Sequence, residues 1–154
     1  MDRPYSKQFD VRWADLDPNG HLRHTAYNDY ASHVRVRYLF ECGFGAEQFA
    51  EHGIGPVIFR EETWFFKEVG RDDSFTVTFV LAGASPDGAR FRMRHDILRT
   101  DGRRAAAIEL DGGWLDLSRR RLTVPPARLG QAVLALAHSD DFDPDYRRPP
   151  RRRF

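Results

Sequence analysis

The chain has 154 residues, with 24 Lys and Arg against 23 Asp and Glu for a formal net charge of +1, and 41% apolar residues including 12 Phe, 5 Tyr and 3 Trp. That length supplies one domain with one core and excludes a nucleotide-binding domain joined to a separate substrate domain, while the aromatic content excludes a disordered chain. The charge is uneven: Arg147, Arg148, Arg151, Arg152 and Arg153 crowd the C-terminus, and the remainder is mildly acidic, which excludes a general nucleic-acid-binding surface.

A lone cysteine, Cys42, excludes an internal disulfide framework. No apolar stretch approaches the roughly 20 residues of a membrane span, and Met1 to Asp10 lacks the apolar core of a signal peptide. These features point to the cytoplasm.

Phe9 to Trp13 alternates apolar and polar residues as a strand does, then meets Asp15-Leu16-Asp17-Pro18-Asn19-Gly20, whose residues are turn formers. Tyr27, Tyr30, Ala31, Val34, Tyr38 and Leu39 fall on one helical face, with Thr25 as N-cap and Gly43 as stop. The spacing predicts a helix of about 18 residues, about 27 Å long. Ala46 to His52 predicts a short helix closed by Gly53. Four strands follow: 57–69, 75–81, 91–97 and 104–117, the last bent or bulged at Gly112-Gly113. The links between them are tight-turn sequences, so neighbouring strands run antiparallel. Leu129 to Ala137 predicts a closing helix. Residues 1–138 form one domain, and residues 139–154 an Arg- and Pro-rich tail expected to be mobile. The fold class is α+β: an antiparallel sheet wrapped around one long helix, with the first strand returning beside a later one.

The chemistry concentrates between Trp13 and Asn28, where a strand delivers two carboxylates into a turn just before a helix. A helix start offers unpaired N–H groups and about half a positive charge. Such donors polarise a carbonyl, which an adjacent carboxylate attacks directly or through water. The stretch resembles the 4-hydroxybenzoyl-CoA thioesterase family of hotdog proteins, whose pattern Asp-x-Asp-x-x-Gly-x-x-x-His/Tyr-x-x-Tyr is met by Asp15, Asp17, Gly20, His24 and Tyr27 without a gap.

The resemblance covers roughly residues 5 to 138. It implies an acyl-CoA thioesterase with Asp17 as the catalytic carboxylate, acting as nucleophile or general base, and His24 as the residue whose backbone N–H polarises the thioester carbonyl. Trp13, Gly20, Thr25 and Tyr27 are then candidates for substrate binding. A histidine at position 24 looks like the branch linked to the Tol-Pal system, in which a Tyr stands where this chain has Trp13. The resemblance further implies a homodimer, open to pairing into a tetramer, with sheets joined edge to edge and substrate between subunits. Glu61, Glu62 and Thr63 interrupt an apolar run and are candidates for residues lent to a partner. No metal or organic cofactor is required.

Other readings stand beside these. Asp15 and Asp17 are also residues that cap turns, with Asp15 the more structural of the two. His21 and His24 have the spacing of a metal pair, but they lie in a loop without a third ligand. His95 shares a face with Phe91, Met93 and Ile97 and reads as a core histidine. Arg119, Arg120 and Arg121 either meet CoA phosphates or form a solvated turn. The whole chain could instead be a non-catalytic acyl-CoA or acyl-carrier-protein binding module; a hotdog dehydratase fits less well, because its His and acid pattern on the helix is absent.

Overall fold

The computed structural model describes residues 3–147. In chain order the elements are β1 (Tyr5–Asp10), a 3-10 turn (Trp13–Asp15), α1 (Ala26–Glu41), α2 (Ala46–His52), β2 (Ile54–Phe65), β3 (Ser74–Ala84), β4 (Arg90–Arg99), β5 (Arg104–Asp116), β6 (Arg121–Thr123), α3 (Ala127–Leu134) and β7 (His138–Asp143). The strands pair in the order β1-β3-β4-β5-β2, all antiparallel; β6 adds to β5, and β7 adds in parallel to β3 beyond the end of β1. β1 thus returns beside β3, as the sequence predicts.

Alternation builds the core. Phe75, Val77, Phe79 and Leu81 of β3, Phe91, Met93 and Ile97 of β4, and Ala106, Ile108 and Leu110 of β5 face α1 and are buried. From the helix, Tyr27, Tyr30, Ala31 and Val34 are buried and Tyr38 and Leu39 pack against them. Tyr30 meets the Phe75 ring edge-on, as Tyr38 does that of Phe79. Each fully buried side chain of this size contributes about 1.5–3 kcal/mol, so one helical stripe on one sheet face supplies most of the packing.

Several boundaries differ from expectation. β1 ends at Asp10 because the Val11 N–H donates to the Asp73 carbonyl at 3.1 Å and the chain then winds into the 3-10 turn. α1 has 16 residues, and Thr25 is already helical, with no side-chain cap bond. β2 stops at Phe65, after which the N–H groups of Phe66 and Lys67 both turn to the Ala105 carbonyl. The bulge lies in β2, where the pairing shifts between Ile58 and Arg60, opposite Gly112. Gly112 is needed for close approach: a Cβ there would come within 2.6 Å of the Val57 carbonyl oxygen and against the Phe91 ring. β6 and β7 were not anticipated.

Part of the C-terminal segment is regular structure. β7 occupies His138–Asp143, and Tyr146, only 4% exposed, lies across Gly83 of β3. It caps an ionic cluster on the face of the sheet opposite α1. Asp111, fully buried, accepts from Arg60 Nε (2.5 Å), Arg92 Nε (3.0 Å) and the Tyr146 hydroxyl. Glu109 pairs with Arg60 and Arg94, and Arg94 reaches Asp141 on β7 at 2.9 Å. Arg148, Arg151, Arg152 and Arg153 fall outside the described residues.

Candidate active site

The motif loop is a closed turn. Asp17 donates its N–H to the His21 carbonyl (2.8 Å), and Gly20 donates to the Asp17 carbonyl (3.0 Å) with φ +75°, which a side chain would strain. One carboxylate oxygen of Asp17 accepts from the N–H groups of Asn19 (2.9 Å) and His21 (3.1 Å), which fixes the side chain without an ion pair. The turn is moored to the body of the protein by Leu22, whose side chain is buried and whose N–H donates to the Val69 carbonyl at 2.8 Å.

Asp15 has the opposite character. It is 3% exposed and accepts from Arg12 Nε at 2.8 Å, Arg23 Nη1 at 2.8 Å and the Tyr30 hydroxyl at 2.6 Å. The Arg12 guanidinium above all, helped by Tyr30 and Arg23, holds its carboxyl far below the usual carboxylate range against the upward push of burial. Fully committed to its partners, Asp15 clamps the loop to α1. Asp17 is half-buried, and among the described residues its second oxygen has no hydrogen-bond partner.

Immediately after the loop, His24 and Thr25 are exposed, and among the described residues their backbone N–H groups have no acceptor. They form the open start of α1, where an incoming carbonyl oxygen finds donors and the positive end of the helix. Tyr27 is buried with its ring edge-on to Phe65; burial first, and then the charge of Asp17, push its phenol above the ordinary value. The residue is 3% exposed. Trp13 is the reverse, 84% exposed on the 3-10 turn.

One turn further along α1, the Asn28 amide donates to Glu61 at 2.8 Å and accepts from Thr63 at 2.9 Å. Glu61 and Thr63 therefore lie on the helix side of β2. Glu62 points to the other face, where it pairs with Arg60 at 2.8 Å.

Beyond this belt opens a cavity of about 440 Å³ between the second half of α1, α2 and the sheet, with Leu39, Phe49, Ile58, Met93 and Trp114 among its walls. It does not include Asp17 or His24. Two polar side chains, Ser32 and Arg35, are among its lining, and Arg35 joins Ser32 Oγ at 2.8 Å and His95 Nε2 at 3.0 Å. Sequence reasoning placed His95 in the core, where it is fully buried and stacked on Phe79, but missed Arg35. The signal was available: Arg35 lies four residues after Ala31 and three before Tyr38, hence on the buried face of the helix.

A long α-helix wrapped by an antiparallel sheet of this order is the hotdog fold. The chain belongs to the thioesterase-like superfamily, whose family model matches residues 11–133. No curated protein matches the sequence. Among solved structures, the chain is similar to protein SAV2348 of Staphylococcus aureus, solved in complex with CoA, at 19% identity and TM-score 0.82 over 97% of this chain and 92% of that one. It is similar to Slr0204, a 1,4-dihydroxy-2-naphthoyl-CoA thioesterase from Synechocystis, at 16% identity and TM-score 0.77, covering 87% and 98%. A DHNA-CoA thioesterase from Staphylococcus aureus superposes at TM-score 0.69 with 16% identity, covering 77% and 78%. No helix among the described residues is long and apolar enough to cross a membrane.

Proposed function

We propose that this protein is an acyl-CoA thioesterase that converts a thioester and water to a carboxylic acid and free CoA, with Asp17 as the catalytic carboxylate. The observation that carries this reading is the pairing of Asp17, tethered through one oxygen by two backbone N–H groups, with the acceptor-free N–H of His24 at the start of α1. The thioester carbonyl oxygen would accept from His24 N–H. Negative charge grows on that oxygen as the tetrahedral intermediate forms, so the donor binds the transition state more strongly than the ground state.

Two routes use the same geometry. In one, an Asp17 oxygen attacks the carbonyl carbon, the C–S bond breaks, CoA leaves as a thiolate that takes a proton, and water then hydrolyses the mixed anhydride to restore Asp17. In the other, Asp17 takes a proton from water as that water attacks, and the thiolate leaves with the same products. Either way the carboxylate form of Asp17 is the one that reacts.

A homodimer suits this site. β2 ends the sheet, with Ile58, Trp64 and Phe65 exposed along it, and an exposed apolar edge strand calls for a partner. Pairing two copies there would set a second α1 beside the first and close the substrate groove with partner residues. The similarity to a protein solved with CoA supports CoA as the carrier, and Trp13, exposed beside the catalytic turn, offers a ring for substrate to rest on.

Release of free thiol from a panel of acyl-CoAs tests the reading. Asp17→Asn should lower kcat by at least about 100-fold while leaving substrate binding within a few-fold. Native protein that binds acyl-CoA but releases no thiol from any of them would instead make it a binding module.

A further inference from the structure

We propose that Arg35 is a specificity-determining group in the wall of the acyl pocket, and that the acyl chains this protein takes are largely apolar but carry a hydroxyl or keto oxygen away from the thioester. This rests on the thioesterase reading above. Its own ground is the cavity on the second half of α1, which that reading does not explain.

The cavity is apolar on nearly every wall, and its volume of about 440 Å³ lies within the range of about 300–1,000 Å³ typical of small-molecule sites. At about 30 Å³ per water-sized group it has room for about a dozen chain atoms. Ser32 stands about 12 Å along the helix axis from His24 at 1.5 Å per residue, so an acyl group held at the helix start reaches the cavity only through a chain of some length.

Into this apolar space the fold delivers one charged group. The Arg35 side chain is 15% exposed, and its guanidinium is held from behind. His95 Nδ1 lies 2.8 Å from the Thr78 carbonyl, which accepts the ring's N–H and leaves Nε2 with a lone pair towards Arg35. Burial, with the Arg35 cation adding to it, lowers His95 to about 3, so the ring stays neutral and keeps that lone pair. Ser32 Oγ takes a second N–H. The nearest carboxylate, Glu61, is 3.8 Å away and is also engaged by Asn28. A guanidinium has five N–H donors, and these two bonds leave the others without a protein acceptor among the described residues.

A ligand filling the cavity therefore meets unspent donors in a fixed position. A plain alkyl chain would strip water from those N–H groups and offer nothing in return. A ligand carboxylate would have to compete with Glu61, already 3.8 Å from this guanidinium, for the same cation. A neutral oxygen acceptor satisfies the donors without that competition, which selects a hydroxyl or keto group.

The test compares two acyl-CoAs of equal chain length, one plain and one with a hydroxyl in the distal half of the chain, by thiol release. Native protein should prefer the hydroxylated substrate by at least about tenfold in kcat/KM, since sites built around a substrate hydroxyl discriminate at least that well. In Arg35→Met the ratio should fall to about one, with the plain substrate still hydrolysed. Should Arg35→Met fail to fold, Arg35→Lys decides: it keeps the charge but lacks the planar fork, and its ratio should fall several-fold. A native ratio near one, or a preference that survives in the folded variant, overturns the proposal. If native protein releases no thiol at all, the thioesterase reading fails separately. Calorimetric titration with the two free acids then decides for Arg35: a preference for the hydroxy acid that is lost in the variant upholds it, and equal affinities overturn it.

Discussion

The Tyr30 hydroxyl donates to the Asp15 carboxylate across 2.6 Å, and this bond joins the motif loop to the second turn of α1. Arg12 and Arg23 complete the clamp. Asp15→Asn keeps the shape but removes the charge, leaving donors with a poorer acceptor. The expected loss is about 1–3 kcal/mol, placed low in that range because the Arg12 side chain is 70% exposed and its pair is screened. The carboxyl of Asp15 is depressed in the folded state, so its contribution is fully present well above the ordinary carboxylate value of about 3.9. It is lost as pH falls from there through the lower folded value. Urea unfolding at pH 7 and at about pH 3 checks this: the gap between native and variant should shrink at the lower pH, and an unchanged gap would show that the charge of Asp15 does not matter.

The fold was legible where periodicity was strong. The stripe Tyr27, Tyr30, Ala31 and Val34 is the buried face of α1, and Phe75-x-Val77-x-Phe79-x-Leu81 is the inner face of β3. It was illegible where tertiary pairing overrides local pattern. Val11 and Trp13 continue the alternation of β1, yet the N–H of Val11 is taken by Asp73 and the chain turns. His138 to Tyr146 reads as polar and loose because its anchors, Arg94 and Asp111, are remote in sequence. At the site, the motif brought Asp17, Gly20, His24 and Tyr27 into one loop-to-helix unit. What it could not show is that Tyr27 faces inward, or that Arg35 and His95 meet across 60 residues.

At His24 the backbone, not the imidazole, is the expected catalytic group, and two substitutions separate them. His24→Ala keeps the N–H and should change kcat less than about tenfold, whereas His24→Pro removes it and should cost about 100- to 1,000-fold, the typical worth of one oxyanion donor. Among the described residues the His24 N–H has no acceptor, so its removal breaks no hydrogen bond there and the urea midpoint should change little. Equal losses in the two variants would return the role to the side chain.

His95 makes stability depend on pH in a range distinct from that of Asp15. The folded ring titrates at about 3 because of its burial, while an unfolded histidine titrates at about 6.5. Between those values the unfolded chain binds the extra proton, so the contribution of His95 is complete above about pH 6.5 and falls by up to about 1.4 kcal/mol per pH unit as the solution is acidified. His95→Gln, which retains an acceptor for Arg35, should be less stable than native protein at pH 7.5 but should lose less stability on going to pH 5. Parallel losses in the two proteins would mean that His95 is reached by protons without unfolding.

Tyr146 decides whether the C-terminal segment is part of the fold. Its ring lies against the backbone of Gly83, beneath the Arg92 guanidinium at 4.7 Å, and its hydroxyl reaches Asp111. Tyr146→Phe deletes only the hydroxyl bond, and Asp111 keeps two guanidinium partners, so about 1 kcal/mol is expected. Tyr146→Ala removes the ring, opens the ionic cluster to water and frees β7 from its far anchor, so about 3 kcal/mol or more is expected. Hydrogen exchange should localise the second effect: amides of β7 and of the second half of β3 should lose protection in Tyr146→Ala and keep it in Tyr146→Phe. If both variants lie within about 0.5 kcal/mol of native, as ordinary surface substitutions do, the segment rests on the sheet without stabilising it. The ionic cluster of Arg60, Arg92, Glu109 and Asp111 would then have to hold without its cover.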